Sequence, residues 1–303
     1  MFDAVEPAPR SRLLIAGIAL ALACGDNAGP ELPVELPTAI AFDSDRTGNR
    51  EIFILWPDGR LTQVTDHPAF DGSPDWSPDA SRLAFYSVRD GNTEIYVCDA
   101  DGSNPRNLTN HLASDAHPDW SPDAQLIAFH SDRDGDWDVW VMNADGSEPL
   151  NITNDMNGAE GFAAWSHDGT RIAFHSIHAG GTDIFIANAD GSDRWQITQT
   201  PWFDGRPAWS PADSQLVFES DRSGQFDVYV MRPDGSDLRQ LTDDPGLDGG
   251  ANWSPDGAWI AYSWLPVPTD AEVFLVRPDG TGHTNLTVHG AYDAWPDWRP
   301  VTQ

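Results

Sequence analysis

Pro118-Asp119-Trp120-Ser121-Pro122-Asp123 is the stretch that decides the fold, because close variants of it recur along most of the chain. The tryptophans of this stretch follow one another at intervals of 44, 45, 44, 44 and 45 residues, at Trp76, Trp120, Trp165, Trp209, Trp253 and Trp298. A repeat of this length, divided by turn residues about every ten positions, is typical of a β-propeller with one four-stranded blade per repeat. The sequence therefore predicts an all-β, six-bladed propeller.

Each repeat contains four short β-rich runs, which we name strands A to D outward from the channel. In the third repeat strand A ends at Trp120, strand B includes Ile127-Ala128-Phe129, and strand C covers residues 138–142. A Ser-Pro-Asp turn joins A to B, an Asp-Gly turn joins C to D, and D ends in Leu-Thr or Ile-Thr. Short turns between short strands are what a propeller blade requires.

The two ends of the repeat region each supply part of one blade. The first recognisable element, Ile40-Ala41-Phe42, is a strand B, whereas the last, ending at Trp298, is a strand A. We therefore expect the C-terminal strand to complete the N-terminal blade, which closes the ring and leaves no open sheet edge. The propeller is predicted to span residues 39–303.

The N-terminal segment has the pattern of an export signal. Arg10 and Arg12 precede the apolar run 13–23, which is too short to span a bilayer and ends at Cys24. The stretch Leu20-Ala21-Leu22-Ala23-Cys24-Gly25 resembles a bacterial lipoprotein signal, in which the cysteine is lipidated. We predict an export signal over 1–24, a tether rich in Pro, Glu and Gly over 25–38, and a periplasmic or cell-surface bacterial lipoprotein. Ordinary secretion and a retained anchor are the alternatives.

The formal charge of −31 is traced mainly to repeated positions. Acids recur before each Asp-Gly turn, five residues before each tryptophan, and at the start of each strand C, where they have structural roles. Four repeats also place an arginine two residues after the serine of strand B, and we expect it to pair with the acid that opens strand C. The chain contains no lysine, so nucleic acid is excluded as a partner and membrane contact is expected only through the lipid.

The repeated units resemble those of a known family. Ile-Ala-Phe-x-Ser-Asp-Arg-x-Gly, Asp-Gly-Ser, Leu-Thr and Pro-x-Trp-Ser-Pro-Asp are similar to the repeats of TolB-type six-bladed propellers, over roughly residues 38 to 300. The resemblance implies a cell-envelope binding protein. TolB carries an additional N-terminal α/β domain, and the related prolyl oligopeptidase-like enzymes carry a hydrolase domain. We expect neither here, since little chain precedes the repeats and no Gly-x-Ser-x-Gly motif occurs.

The binding face is predicted from where the repeats differ. Strand direction alternates, so the D-to-A and B-to-C connections share one face of the disc, and these connections hold most of the variation. We call this the variable face. Three residues before each tryptophan, at the channel mouth, stand six unlike residues, and Trp202 and Phe203 add aromatic side chains in one D-to-A connection. The six mouth residues are Ser73, His117, Phe162, Arg206, Gly250 and Trp295.

A mouth that mixes aromatic residues, arginine and histidine suits a protein, peptide or glycan partner. The leading hypothesis is therefore a monomeric, non-enzymatic envelope protein without a cofactor. The alternative is a metal-dependent carbohydrate hydrolase or lyase that binds a channel metal through His117, His130 and His175. His130 and His175 belong to a second variable set midway along strand B, whose members could instead pack between blades. That set is Asp43, Tyr86, His130, His175, Glu219 and Ser263.

Overall fold

The computed structural model describes residues 32–266 and 271–301, so the predicted signal, Cys24 and the first half of the tether lie outside the described residues. The described residues form 24 β-strands in six four-stranded sheets. Within these residues there is no helix with the length and apolar character needed to cross a membrane.

The strands are numbered in chain order. They are β1 (Ile40–Ser44), β2 (Glu51–Leu55), β3 (Leu61–Gln63), β4 (Asp71–Trp76), β5 (Arg82–Ser87), β6 (Glu94–Asp99), β7 (Arg106–Asn107), β8 (Asp115–Trp120), β9 (Leu126–Ser131), β10 (Asp138–Asn143), β11 (Leu150–Asn151), β12 (Ala159–Trp165), β13 (Arg171–His178), β14 (Gly181–Asn188), β15 (Trp195–Gln196), β16 (Asp204–Trp209), β17 (Leu216–Ser220), β18 (Asp227–Met231), β19 (Arg239–Gln240), β20 (Leu247–Trp253), β21 (Ile260–Leu265), β22 (Glu272–Val276), β23 (Thr284–Asn285) and β24 (Asp293–Trp298).

The predicted six-bladed ring and its closure are confirmed. Five blades use consecutive strands, whereas the first has the order β24-β1-β2-β3. In that blade Ile40 pairs with Trp298 and Ser44 pairs with Asp293, both antiparallel. The C-terminal strand is therefore strand A of the N-terminal blade.

The apolar core lies between blades rather than within one. One cluster joins Phe42 of the first blade to Trp259 and Leu275 of the sixth, and it also contains Leu36. The strand B aromatic residue of every blade is fully buried, so each blade is packed against both neighbours. These six aromatic residues are Phe42, Phe85, Phe129, Phe174, Phe218 and Tyr262.

The strand B arginines do not pair with the acids that open strand C, so that expectation was wrong. Arg133 Nη2 lies 2.8 Å from Asp115 in strand A, and its guanidinium stacks on Phe129 and Trp140. Arg46, Arg89 and Arg222 pair in the same way with Asp293, Asp71 and Asp204. Each arginine therefore links strand A to the outer part of its own blade.

The strand C acid instead holds strand D. Asp138 accepts a hydrogen bond of 2.8 Å from the Thr153 hydroxyl, and Asn151 also donates to it. The same threonine oxygen accepts the Val139 N–H at 2.9 Å. The recurring Leu-Thr or Ile-Thr therefore satisfies a buried carboxylate and a buried N–H with one hydroxyl.

Candidate functional site

Each strand A contains a β-bulge three residues before its tryptophan. In β4 Gly72 pairs with Tyr86 and Asp75 pairs with Ala84, so Ser73 and Pro74 together oppose a single residue of β5. The register shifts at the same place in the other five blades. The bulge therefore bends each inner strand at the level of the predicted mouth residues.

All six mouth residues have a left-handed backbone. Their φ angles are 48° at Ser73, 50° at His117, 53° at Phe162, 54° at Arg206, 60° at Gly250 and 55° at Trp295. Glycine is the natural residue for such a bulge position, and any other residue costs about 1–2 kcal/mol. Only Gly250 follows this preference, so the propeller accepts backbone strain at five of six positions in order to carry side chains there.

The mouth residues surround the channel, as predicted, and four of them form one cluster. The ring of His117 lies 4.1 Å from that of Phe162 and 4.9 Å from that of Trp295, measured between centroids. The Arg206 guanidinium lies over Phe162 at 4.8 Å and over Trp295 at 5.0 Å. These four residues, which we call the mouth cluster, are only partly buried. A fifth mouth residue, the buried Ser73, contacts the cluster, with its Oγ 3.0 Å from His117 Nδ1.

The Arg206 side chain is held by Glu219. Its Nη1 forms an ion pair with one carboxylate oxygen, and the other accepts the Gly250 N–H at 3.2 Å. Glu219 is 2% exposed, and burial raises the pKa of its carboxyl while the Arg206 charge opposes that shift. A cation and a carboxylate thus neutralise one another beside the aromatic rings.

Four of the six variable residues midway along strand B, Glu219 among them, support the bulge of the next blade. His130 Nδ1 accepts the Phe162 N–H at 3.3 Å, His175 Nδ1 accepts the Arg206 N–H at 3.4 Å, and Ser263 Oγ accepts the Trp295 N–H at 2.9 Å. These side chains satisfy N–H groups that the bulge removes from the ladder. Imidazole and hydroxyl groups can each supply the one acceptor that is needed, which explains why unlike residues occupy these positions.

The three candidate histidines are neutral. Burial and the nearby Arg206 charge lower the pKa of His130 and of His175 to about 3, and burial lowers the pKa of His117 well below its usual value. The rings of His117 and His130 are neighbours, with centroids 5.0 Å apart. The Phe162 ring packs against the rings of all three histidines.

The three imidazoles are not gathered into a metal-binding group. Within 32–266 and 271–301, the potential ligand atoms that come together as a trio within 4.8 Å of one another are those of Asp134, Asp136 and Asp138. That trio lies on a B-to-C connection, and Asp138 is already engaged by Thr153 and Asn151. The geometry gives the metal-dependent alternative no support.

Sequence reasoning missed three carboxylates deeper in the channel. Asp75, Asp119 and Asp297 directly precede a tryptophan, and each accepts the backbone N–H of the tryptophan of the next blade at 2.7–2.8 Å. Burial raises the pKa of Asp119 to about 8 and that of Asp297 to about 7. The signal was present, because only these three repeats read Pro-Asp-Trp. Their hydrogen bonds join neighbouring inner strands.

The D-to-A connections form a rim around the mouth. Trp202 is 47% exposed, and Phe203 packs edge-on against His175 and Phe226. Residue Thr182, in the B-to-C hairpin of the fourth blade, pairs with Phe203 and so ties the two connections together. Leu112 and Val288, which sequence reasoning also missed, are 98% and 78% exposed on equivalent connections. Apolar side chains therefore surround the mouth on the variable face.

A separate cavity of about 240 Å³ adjoins the mouth between the fifth, sixth and first blades. Gly250 and Gly249 lie on one wall, so no large mouth side chain fills this space. The lining also includes Arg206, a serine, several aliphatic residues, four aromatic residues and two acidic residues; the aromatic and acidic residues are Phe203, Phe226, Tyr292, Trp295, Glu219 and Asp248. We call it the blade 6 cavity.

The fold and the mouth define a class: a six-bladed β-propeller protein that presents a strained, aromatic channel mouth on its variable face. The chain belongs to the TolB β-propeller family. The sequence profile of the TolB beta propeller domain matches residues 38–162 and 162–303. This confirms the resemblance seen in the repeated units.

Individual relatives agree with the family assignment. A Protein TolB homolog of Chlorobium luteolum is 36% identical over 66 residues, which are 22% of this chain and 14% of that protein. The Tol-Pal system protein TolB of Syntrophus aciditrophicus is 44% identical over 52 residues, 17% of this chain and 12% of that protein. The matched regions are thus a small part of these relatives. The crystal structure of TolB from Acinetobacter baumannii has a TM-score of 0.77 at 21% identity, covering 89% of this chain and 68% of that one.

Proposed function

We propose that this protein is an exported, lipid-tethered and non-enzymatic binding protein of the bacterial cell envelope, and that it binds a protein, peptide or glycan partner with its variable face. The observation that carries the proposal is the mouth cluster. Five non-glycine residues adopt a backbone that favours glycine, and their rings and guanidinium remain partly open to solvent. Strain kept at the same level in five of the six blades is typical of a functional surface.

The surroundings of the mouth fit a protein or peptide better than a sugar. Exposed apolar tips such as Leu112, Trp202 and Val288 ring the face, and aromatic residues with arginine are the side chains that dominate the binding energy at protein interfaces. The Tol-Pal name of a relative also favours a partner in the envelope. Binding by a monomer through this face requires no catalytic group.

The tether rests on sequence alone, since Cys24 lies outside the described residues. We propose that Cys24 carries the lipid and that the chain after it leads to the propeller. Metabolic labelling with an alkynyl fatty acid in the native host tests this, with Cys24→Ser as the variant. Equal labelling of both proteins would refute lipidation at Cys24, but it would not bear on the proposed binding face.

Crosslinking in intact cells tests the binding face. A photoreactive amino acid at Leu112 or Trp202 should capture a discrete partner, and capture should fall with Arg206→Ala or Trp295→Ala. His167→Ala is the matched control, because His167 is exposed on a turn between strands A and B at the opposite face. Capture that is insensitive to both mouth variants, or equally sensitive to the control, would refute the proposal.

A further inference from the structure

Arginine side chains cover repeated tryptophans on the face opposite the mouth, which carries the A-to-B and C-to-D turns. The guanidinium of Arg82 lies 4.6 Å from the ring centroid of Trp120 in the next blade, and that of Arg171 lies 4.5 Å from that of Trp209. Both arginines directly precede the Leu-Ala-Phe or Ile-Ala-Phe run of their strand B. The propeller thus fills two grooves between neighbouring blades with an arginine of its own.

The groove between the third and fourth blades has the tryptophan but lacks this arginine. Leu126 stands at the position of Arg82 and Arg171, and the tryptophan of the next blade is Trp165. A cavity of about 490 Å³ lies between them, and we call it the blade 3–4 groove. Its apolar wall includes Leu126, Val141, Met142, Leu150, Ile152 and Trp165.

Four exposed acids stand at the rim of the groove: Asp123, Glu148, Asp168 and Asp190. The three aspartates use Oδ1 in the hydrogen bonds of their own turns, and their Oδ2 atoms accept none from the described residues. Hydroxyl donors of these turns lower the pKa of Asp123 and Asp190, and they lower that of Asp168 to about 2. The rim is therefore negative at neutral pH, with carboxylate oxygens that face solvent.

Two arginines near the groove are engaged elsewhere. Arg194 pairs with Asp155 and donates a hydrogen bond of 2.7 Å to the carbonyl oxygen of Ile152. Arg171 is stacked in the next groove, from which its charge slightly stabilises the Asp168 carboxylate. Among the described residues that line the blade 3–4 groove, none is cationic. An apolar wall and a negative rim are thus left without a cation between them.

A cation on an apolar stem matches this combination. An arginine side chain packs its methylene groups on apolar surface, and its planar guanidinium stacks on an indole while it pairs with carboxylates. An ammonium, in contrast, is a strongly hydrated point charge. Leu150 is 60% exposed and extends the apolar surface beyond the cavity. A residue that adjoins the arginine in a protein segment covers this surface better than a small molecule does.

We propose that the blade 3–4 groove binds an arginine side chain of a partner protein, with its stem against the apolar wall and its guanidinium over Trp165 among the rim carboxylates. The groove lies on the face opposite the mouth and the blade 6 cavity, so this surface is separate from the one that the proposed function uses. The partner is a basic segment in which an apolar residue adjoins the arginine. The negative rim favours such a segment and disfavours an acidic one.

Calorimetric titration with dipeptide probes tests the groove. N-acetyl-leucyl-arginine methylamide should bind saturably with one-to-one stoichiometry. The citrulline analogue, a neutral isostere, should bind at least about fivefold more weakly, because it lacks the charge that pairs with the rim. Leu126→Arg should abolish saturable binding, since an arginine of the chain then occupies the groove as Arg82 does in its own. The matched control is Gln215→Arg, which adds the same charge at the equivalent position of the fifth blade.

Asp168→Asn tests the rim without changing the wall. Asparagine keeps the oxygen that accepts the Ser166 and Thr170 hydroxyls but removes the charge. The arginine probe should therefore bind about two- to fivefold more weakly. The matched control is Asp256→Asn, at the same turn position of the sixth blade, which should leave the affinity unchanged.

Several results would overturn the inference. They are unsaturable binding of the arginine probe, equal binding of the citrulline or lysine analogue, equal binding by wild type and Leu126→Arg, and equal losses in the control variants. Loss of probe binding in Trp295→Ala would place the probe at the mouth and would also refute the groove. Thermal unfolding shows whether Leu126→Arg is folded; if it is not, Asp168→Asn measured against Asp256→Asn decides the question.

Discussion

Asp115 and Asp248 occupy the same position in two blades, and replacing each with asparagine is expected to change stability in opposite directions. Asp115 is paired with Arg133 at 2.8 Å, and the two side chains are 0% and 10% exposed. Asp115→Asn leaves a largely buried guanidinium without its counter-charge, which costs about 3 kcal/mol. Asp248 has no such partner among the described residues, so Asp248→Asn removes an uncompensated buried charge.

The gain at Asp248 depends on pH, and its sign follows from the pKa. Burial raises that pKa from 3.8 to about 7, so the folded protein holds a proton that the unfolded chain releases. Stability is therefore lost as pH rises from about 4 to about 7. A difference of about three pKa units corresponds to on the order of 4 kcal/mol at most, reached above pH 8. Asp248→Asn should recover up to that amount at pH 8 and almost nothing near pH 4.

Urea unfolding followed by tryptophan fluorescence measures both variants at pH 4.5, 6 and 8 without added ligand. Other buried carboxyls with raised pKa values, such as Asp43 and Glu160, contribute equally to each protein and cancel in the difference. A loss of stability in Asp248→Asn at pH 8, or a gain that does not shrink as pH falls, would refute the reasoning. Stabilisation by Asp115→Asn would refute the structural role of the arginine pairs.

Three further predictions concern the ring, the blade and the histidines. Deleting residues 290–303 removes β24 and should abolish cooperative thermal unfolding of the propeller; an unchanged melting temperature in calorimetry would contradict ring closure. Thr153→Val should cost about 1–3 kcal/mol in urea unfolding, because Asp138 and the Val139 N–H both lose a partner. His130 and His175, with pKa values of about 3, should show constant NMR shifts between pH 4.5 and 8, and a midpoint near 6.5 would contradict their burial.

The fold could be predicted because the sequence pattern that specifies a blade occurs six times. Six copies of the Trp-containing strand and its turn fix blade number and strand order, and the incomplete ends at Ile40 and Trp298 fix ring closure. Each copy has the same order of strands and turns, so a departure in one blade does not obscure the pattern. The same redundancy located the six mouth residues by simple counting from each tryptophan.

The partners of side chains could not be predicted by counting. Ser131 is paired with Asp138 on one side and with Asp115 on the other, so two acids are close to the start of the Arg133 connection. Spacing along the chain favours Asp138, which is nearer in sequence. The structure shows why it is not used: Thr153 and Asn151 already occupy it. Such competition among neighbours becomes visible only after the sheet is assembled.

The left-handed conformation of the mouth was also hidden from the sequence, and it changes the meaning of the variation there. At an ordinary strand position, unlike residues such as Phe162 and Arg206 would indicate only a tolerant surface. At a left-handed bulge the fold favours glycine, so each of these side chains adds about 1–2 kcal/mol of strain. Packing within the mouth cluster offsets part of this strain energy, but the offset is incomplete because the rings stay partly exposed. A partner that buries them would supply the remainder, which is why the mouth is the surface on which binding should be sought.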